Sequence, residues 1–140
     1  MRFELVDAVL ERSPERVVAL KQVSRAEEYL GDHFPGFPIL PGVLMLEVLV
    51  QAARELLLPH SPLRMVLGEA RAVKYGQLVR PGDRLIVEVS LIGGADESGA
   101  FAVRGAGKVD RTGAASSETA VSGRLTMRPL RVRPRACFEH

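Results

Sequence analysis

Asp32-His33-Phe34-Pro35-Gly36-Phe37-Pro38-Ile39-Leu40-Pro41-Gly42 runs straight into Val43-Leu44-Met45-Leu46-Glu47-Val48-Leu49-Val50-Gln51-Ala52-Ala53, and the join between the two decides the fold. The first half holds three prolines and two glycines in eleven residues. They remove backbone donors and fix or free φ, so neither a helix nor a central strand forms there. The second half reads as a helix from about Gly42 to Leu58, with Pro41 tolerated at its start and Pro59 stopping it. From 43 to 50 only Glu47 is polar. A helix that is apolar all round is a buried one, so other elements are expected to wrap its first two turns.

Those elements are legible on both sides of the helix. Residues 3–10 fit a strand or a helix, since their periodicity leaves the choice open. Residues 16–23 are rich in β-branched side chains and read as a strand. Residues 25–30 make at most one helical turn before Gly31. Four strand candidates follow at 63–75, 84–93, 99–109 and 118–128, separated by turn-forming clusters such as Pro81-Gly82-Asp83. Gly105 and Gly107 weaken the third of these and suggest a bulge or a sharp bend. The order β-β-helix-β-β-β-β predicts an α+β fold in which one long helix is wrapped by one curved antiparallel sheet. A single sheet leaves edges bare and part of that helix uncovered, which predicts a homodimer.

At 140 residues the chain is long enough for one domain with a real core, and 46% apolar with 26% charged residues argues against disorder. With aromatics at 5% and no Trp, the core is aliphatic. The formal charge is +2, but residues 128–140 hold four arginines against Glu139, a net of +3 that leaves the other 127 residues at −1. The basic excess is therefore a tail, and nucleic acid is a poor fit. We expect one domain over 1–128 and an irregular basic tail over 129–140. Cys137 is the single cysteine, which excludes an internal disulfide and a cysteine-cluster metal site. The longest uncharged run, 34–46, is Pro-rich and too short to span a bilayer, and no leader pattern opens the sequence, so a cytoplasmic protein is expected.

His33, with an ordinary pKa of about 6.5, is a natural general base near neutral pH. Glu47 lies fourteen residues later on the apolar helix, where burial disfavours its charged form and suits it to donate a proton. The N–H groups at the helix start, Gly42 first, suit negative charge developing on a carbonyl oxygen. Together they suggest proton abstraction beside a carbonyl with loss or gain of a β-substituent. Each residue alone has a plainer reading: a lone loop histidine is more often structural, and a lone glutamate in an apolar helix is often the partner of a buried arginine. Their conjunction on one loop–helix unit favours chemistry.

The stretch from His33 to Glu47, closing with Gln51, resembles the signature H-F-P-G-x-P-x-x-P-G-V-L-x-x-E-x-x-x-Q of the FabZ-type (3R)-hydroxyacyl-[acyl-carrier-protein] dehydratases of the hotdog fold. Leu5-Val6-Asp7 with Val9-Leu10-Glu11 is similar to that family's first strand and residues 17–23 to its second. Lys74 with Val79-Arg80-Pro81-Gly82-Asp83 is similar to its basic turn. The resemblance implies that His33 and Glu47 form the catalytic pair, contributed by different subunits, and that Gly42 and Val43 bind the substrate. It implies an acyl tunnel along a dimer interface, a double hotdog dimer that often assembles as a trimer of dimers, and no metal or organic cofactor. The reaction implied is loss of water from a 3-hydroxyacyl thioester to give the trans-2-enoyl product. Acyl carrier proteins are acidic, and Arg71, Lys74 and Arg80 are the candidates for docking one. The chain departs from the family in carrying Asp32 where Gly usually precedes the histidine, and in starting beyond a segment that usually precedes the first strand. A hotdog thioesterase and a non-catalytic acyl-binding hotdog subunit are the alternatives.

Overall fold

The structure, a computed structural model, describes residues 4–31, 36–111, 113 and 117–131. His33, Cys137 and the tail from 132 onward lie outside the described residues. Two strands come first, β1 (Ala8–Arg12) and β2 (Arg16–Gln22), then a single 3-10 turn at Glu28–Leu30. The helix α1 (Gly42–Leu57) follows, and then β3 (Met65–Tyr75), β4 (Arg84–Ile92), β5 (Phe101–Asp110) and β6 (Glu118–Pro129). The ambiguous opening segment thus becomes an irregular stretch followed by a short strand, and the other elements fall within a few residues of the positions read from sequence.

All six strands form one antiparallel sheet in the order β1-β2-β4-β5-β6-β3. The strand that follows the helix is sent to the far edge, and β4 returns to pair with β2. The register alternates cleanly. Val103, Gly105, Gly107 and Val109 of β5 are buried, while Ala102, Arg104 and Lys108 are exposed. The buried face carries Val17, Ala19, Leu85, Val87, Val89, Val121, Leu125 and Met127, and α1 lies across it with Val48, Leu49, Ala52, Ala53 and Leu56 fully enclosed.

Gly105 and Gly107 let this layer close. A Cβ on Gly105 would stand 3.2 Å from a methyl of Leu49 on the helix, and one on Gly107 would stand 3.0 Å from methyls of both Leu85 and Val121. The register does slip beside Gly107, where β5 meets β6, so the expected irregularity is present as well. A second irregularity bends edge strand β3 between Arg71 and Lys74, where Ala72 takes a left-handed φ of 52° that is unusual for a non-glycine residue.

The helix is not wrapped all round. Val43 is 71% exposed, and Leu44, Leu46 and Glu47 are only half-buried. The reason is geometric: one sheet covers one side of a helix. What remains open is a stripe bearing Val43, Glu47, Gln51 and Arg54, at helical spacings that place these residues on one face.

Candidate active site

The open stripe begins where the proline-rich loop ends. Pro41 is extended (φ −57°, ψ 139°) and contributes no side-chain cap. Its carbonyl accepts from the amides of Leu44 and Met45 at 3.0 and 3.1 Å. The amides of Gly42 and Val43 donate to no group among the described residues, as expected for the first turn of a helix. Glycine at the first of these positions makes room for a neighbour, which a larger residue would push aside by a few tenths of an ångström. A Cβ there would lie 3.0, 3.2 and 3.3 Å from Cε1, Cζ and Cδ1 of Tyr75, whose ring, half exposed at the end of β3, packs against the helix start.

Glu47 sits one turn further on. It is not enclosed in apolar surroundings, as the sequence had suggested: its side chain keeps 36% of its surface exposed, because the stripe it stands on faces away from the sheet. Its Oε1 accepts from Nε2 of Gln51 at 3.2 Å and stands 3.9 Å from a guanidinium nitrogen of Arg54. Gln51 is fixed in turn, since its Oε1 accepts from the amides of Leu5 and Val6 at 2.8 and 3.3 Å. Arg54 donates through Nε to the carbonyl of Met65 at 3.1 Å. One carboxylate oxygen is therefore steered by two side chains, each anchored to a different part of the chain. Beside them opens a groove of about 770 Å³ lined by Val6, Asp7, Gln51, Arg54 and Arg64 among others. The spacing i, i+4, i+7 from Glu47 marks Gln51 and Arg54 as its neighbours, a signal present in the sequence whose use for orienting Glu47 was missed.

The three basic candidates do not share one environment. Arg71 pairs with Glu69 at 2.7 Å, which holds the guanidinium above its ordinary range, and Lys74 is exposed near the end of the same strand. Arg80 instead lies over the ring of Phe37, 4.1 Å from its centroid. The register adds two residues that went unremarked. Arg71 stands opposite Arg124 on β6, and Arg124 opposite Arg104 on β5, forming a row of three arginines on the sheet face turned away from the helix. Like charges placed directly across strands are destabilising. Among the described residues, Arg104 and Arg124 have no ion-pair partner to relieve this. No group of three metal-ligating side chains occurs among the described residues, and no helix there is long and apolar enough to cross a membrane.

Comparison with known proteins adds a family to this geometry. A family model described as ApeI dehydratase (ApeI-like) matches residues 10–117. The 3-hydroxyacyl-[acyl-carrier-protein] dehydratase FabZ of Thermotoga neapolitana is 45% identical over 113 residues, covering 79% of each chain. The FabZ of Thermus thermophilus is 39% identical over 129 residues, covering 89% of this chain and 84% of the relative. Among solved structures, the dehydratase heterocomplex ApeI:P from Xenorhabdus doucetiae superposes with a TM-score of 0.70 at 22% identity, covering 92% of this chain and 84% of that one. An acyl-CoA hydrolase from Bacillus cereus reaches 0.67 at 19%, with 84% and 67% covered. At these identities the structural likenesses speak for the shared helix-on-sheet fold.

Proposed function

This chain belongs to the FabZ-type 3-hydroxyacyl-[acyl-carrier-protein] dehydratase family of the hotdog fold, and from that premise we propose how its own residues carry the reaction. The substrate is a (3R)-3-hydroxyacyl thioester borne on an acyl carrier protein, and the enzyme works in the cytoplasm. The imidazole of His33 takes the proton from C2, and the C2 electron pair forms the new double bond to C3 as the C3–O bond breaks. The carboxyl of Glu47 gives its proton to the departing hydroxyl, which leaves as water. Charge that gathers on the thioester oxygen is met by the Gly42 amide, with Val43 beside it, as electrostatic stabilisation by oriented donors requires. The product is the trans-2-enoyl thioester.

The observation that carries this reading is the placement of Glu47 on the open stripe of α1, steered by Gln51 and Arg54 and one turn from two amides that donate to no group among the described residues. In the homodimer we propose, a second copy of the chain lies against that stripe, and His33 of one subunit acts with Glu47 of the other, as the family resemblance implies. That copy would also turn the open groove beside Gln51 into a tunnel for the acyl chain. The exposure of Val43 supports such a homodimer. For the carrier we propose a dock on Arg71 and Lys74 with Arg80 at its edge, extended by Arg124 and Arg104. The extension is supported by the row of like charges, in which Arg104 and Arg124 have no ion-pair partner among the described residues.

The experiment follows the fate of a (3R)-3-hydroxyacyl thioester by ultraviolet absorbance and by thiol titration together. Enoyl formation without thiol release is expected. Thiol release without enoyl product would make the chain a thioesterase, and neither change would make it a non-catalytic subunit.

A further inference from the structure

We infer that Arg80 is a positioning residue for the loop that joins His33 to α1, acting through the ring of Phe37; the inference rests on the dehydratase reading above. Phe37 lies four residues after His33 and five before Gly42. Its ring is 46% exposed, yet the guanidinium carbon of Arg80 stands 4.1 Å from its centroid, well inside the range of a cation–π contact. Three residues further on, the amide of Leu40 donates to the carbonyl of Val79 at 2.7 Å, and the Leu40 side chain is buried. Two consecutive turn residues, Val79 and Arg80, thus hold the loop at two points. Prolines at 38 and 41 leave this segment few amides with which to anchor itself.

The turn that supplies both contacts is fixed from behind. Asp83 is buried, and its Oδ2 accepts from the amide of Arg80 at 2.9 Å and from Nε of Arg111 at 3.1 Å. Another nitrogen of Arg111 donates to the carbonyl of Leu78. The Val23 amide donates to the Asp83 carbonyl at 3.0 Å, and the Gly82 amide to the Val23 carbonyl at 2.9 Å. The backbone of Arg80 is therefore tied to the end of β2 and to the segment after β5, and its side chain transmits that fixity to Phe37. Slack in this loop would loosen the tether between His33 and the start of α1, and with it the presentation of both to their sites. A misplacement of about 1 Å in a catalytic geometry costs up to ~100-fold in rate.

The test is a double-variant cycle, Arg80→Leu with Phe37→Leu, assayed on a (3R)-3-hydroxyacyl thioester of N-acetylcysteamine, which carries no protein to dock. Each single variant is expected to lower kcat by about two- to fivefold, the scale of an exposed cation–π contact. The double variant should be no worse than the poorer single one, and Arg80→Lys should recover most of the loss. In parallel, hydrogen exchange of the Leu40 amide should quicken in Arg80→Leu while the melting temperature falls by no more than about 3 °C, a readout that needs no turnover. Additive losses, or an unchanged kcat with unchanged Leu40 exchange, overturn the inference. So does a rise in KM for carrier-borne substrate with kcat on the N-acetylcysteamine thioester unchanged, which would make Arg80 a docking residue alone. If the wild-type chain turns over no hydroxyacyl thioester, the dehydratase reading fails, and Leu40 exchange by itself decides whether Arg80 holds the loop.

Discussion

Replacing Gln51 with methionine keeps the length and volume of the side chain but removes its amide. The Oε1 that accepts the Leu5 amide at 2.8 Å and the Val6 amide at 3.3 Å is lost, and so is the Nε2 donor to Glu47 at 3.2 Å. Leu5 is almost fully buried, so its amide has little access to water once the acceptor is gone. A buried donor left unsatisfied costs about 1–3 kcal/mol, and the Val6 contact is too long to add much. A loss of about 2 kcal/mol is therefore expected, which for a chain of this size is a fall in Tm of about 6–8 °C. Thermal unfolding followed by circular dichroism reads it directly. Turnover, measured well below the new Tm, should also fall by about tenfold or more, since one of the two groups that orient the Glu47 carboxylate is gone. A Tm within about 2 °C of wild type would refute the idea that Gln51 staples the segment before β1 to the helix, because the cost of an orphaned amide would be missing.

Other consequences are as direct. Gly107→Ala would push a methyl to within 3.0–3.1 Å of Leu85, Val121 and Val87, and denaturant unfolding should show a loss of about 1–3 kcal/mol from overpacking; unchanged stability would mean that this layer is loosely filled. Val43→Asp should leave the fold intact and convert a dimer into a species sedimenting at 15.3 kDa, whereas a wild-type chain already at that mass would remove the dimer. The Glu27 carboxyl is subject to burial, which works to raise its pKa. The Lys21 ammonium, the nearby Tyr29 hydroxyl and the Ser24 amide outweigh burial and hold it below the usual 4.5. A depressed carboxyl pKa contributes stability that is present above the unfolded value and lost as pH falls through the folded one. Wild type should accordingly lose stability on acidification below about 4.5, and Glu27→Gln, weaker at neutral pH, should lose less over that window; parallel pH curves would contradict the assignment.

Much of this molecule is written in local sequence. Residues 36–41 are irregular, as their glycine and prolines demand, and the Pro-free run that starts at Gly42 is a long helix. Four strands after the helix follow from runs bounded by Pro-Gly-Asp, Gly-Gly and Thr-Gly. Strand order is a different matter. No local signal sends β3 to the edge beside β6 or brings β4 back to β2, because those pairings are set by how the sheet closes over the helix. Composition alone also misjudged the helix. Val43 and Leu46 are as apolar as Val48 and Leu49, but only the latter pair faces the sheet, and a count of apolar residues does not know which side has a partner. Gly105 and Gly107 were read as a weak point of a strand, whereas their main service is to admit Leu49, Leu85 and Val121.

In the site itself, the helix position of Glu47 and the free amides of its first turn were legible from the motif. The contacts to Gln51 and Arg54 were available from helical spacing. The seating of Phe37 beneath Arg80 was not, since forty-three residues separate them and no short-range rule joins a loop phenylalanine to a distant turn. The arginine row on the outer face required the register of three strands, which pairs residues from 71, 104 and 124.

The central claim is that His33 of one subunit and Glu47 of another act on one substrate. Its most direct measurement is enoyl formation by His33→Ala, by Glu47→Gln, and by the two variants unfolded and refolded together. Each alone should lose at least ~100-fold in turnover with its fold intact, and the mixture should recover activity well above either parent, since a mixed pair contains one site with both groups present. Near-wild-type rates in either single variant, or no recovery in a mixture shown to contain mixed oligomers, would contradict it.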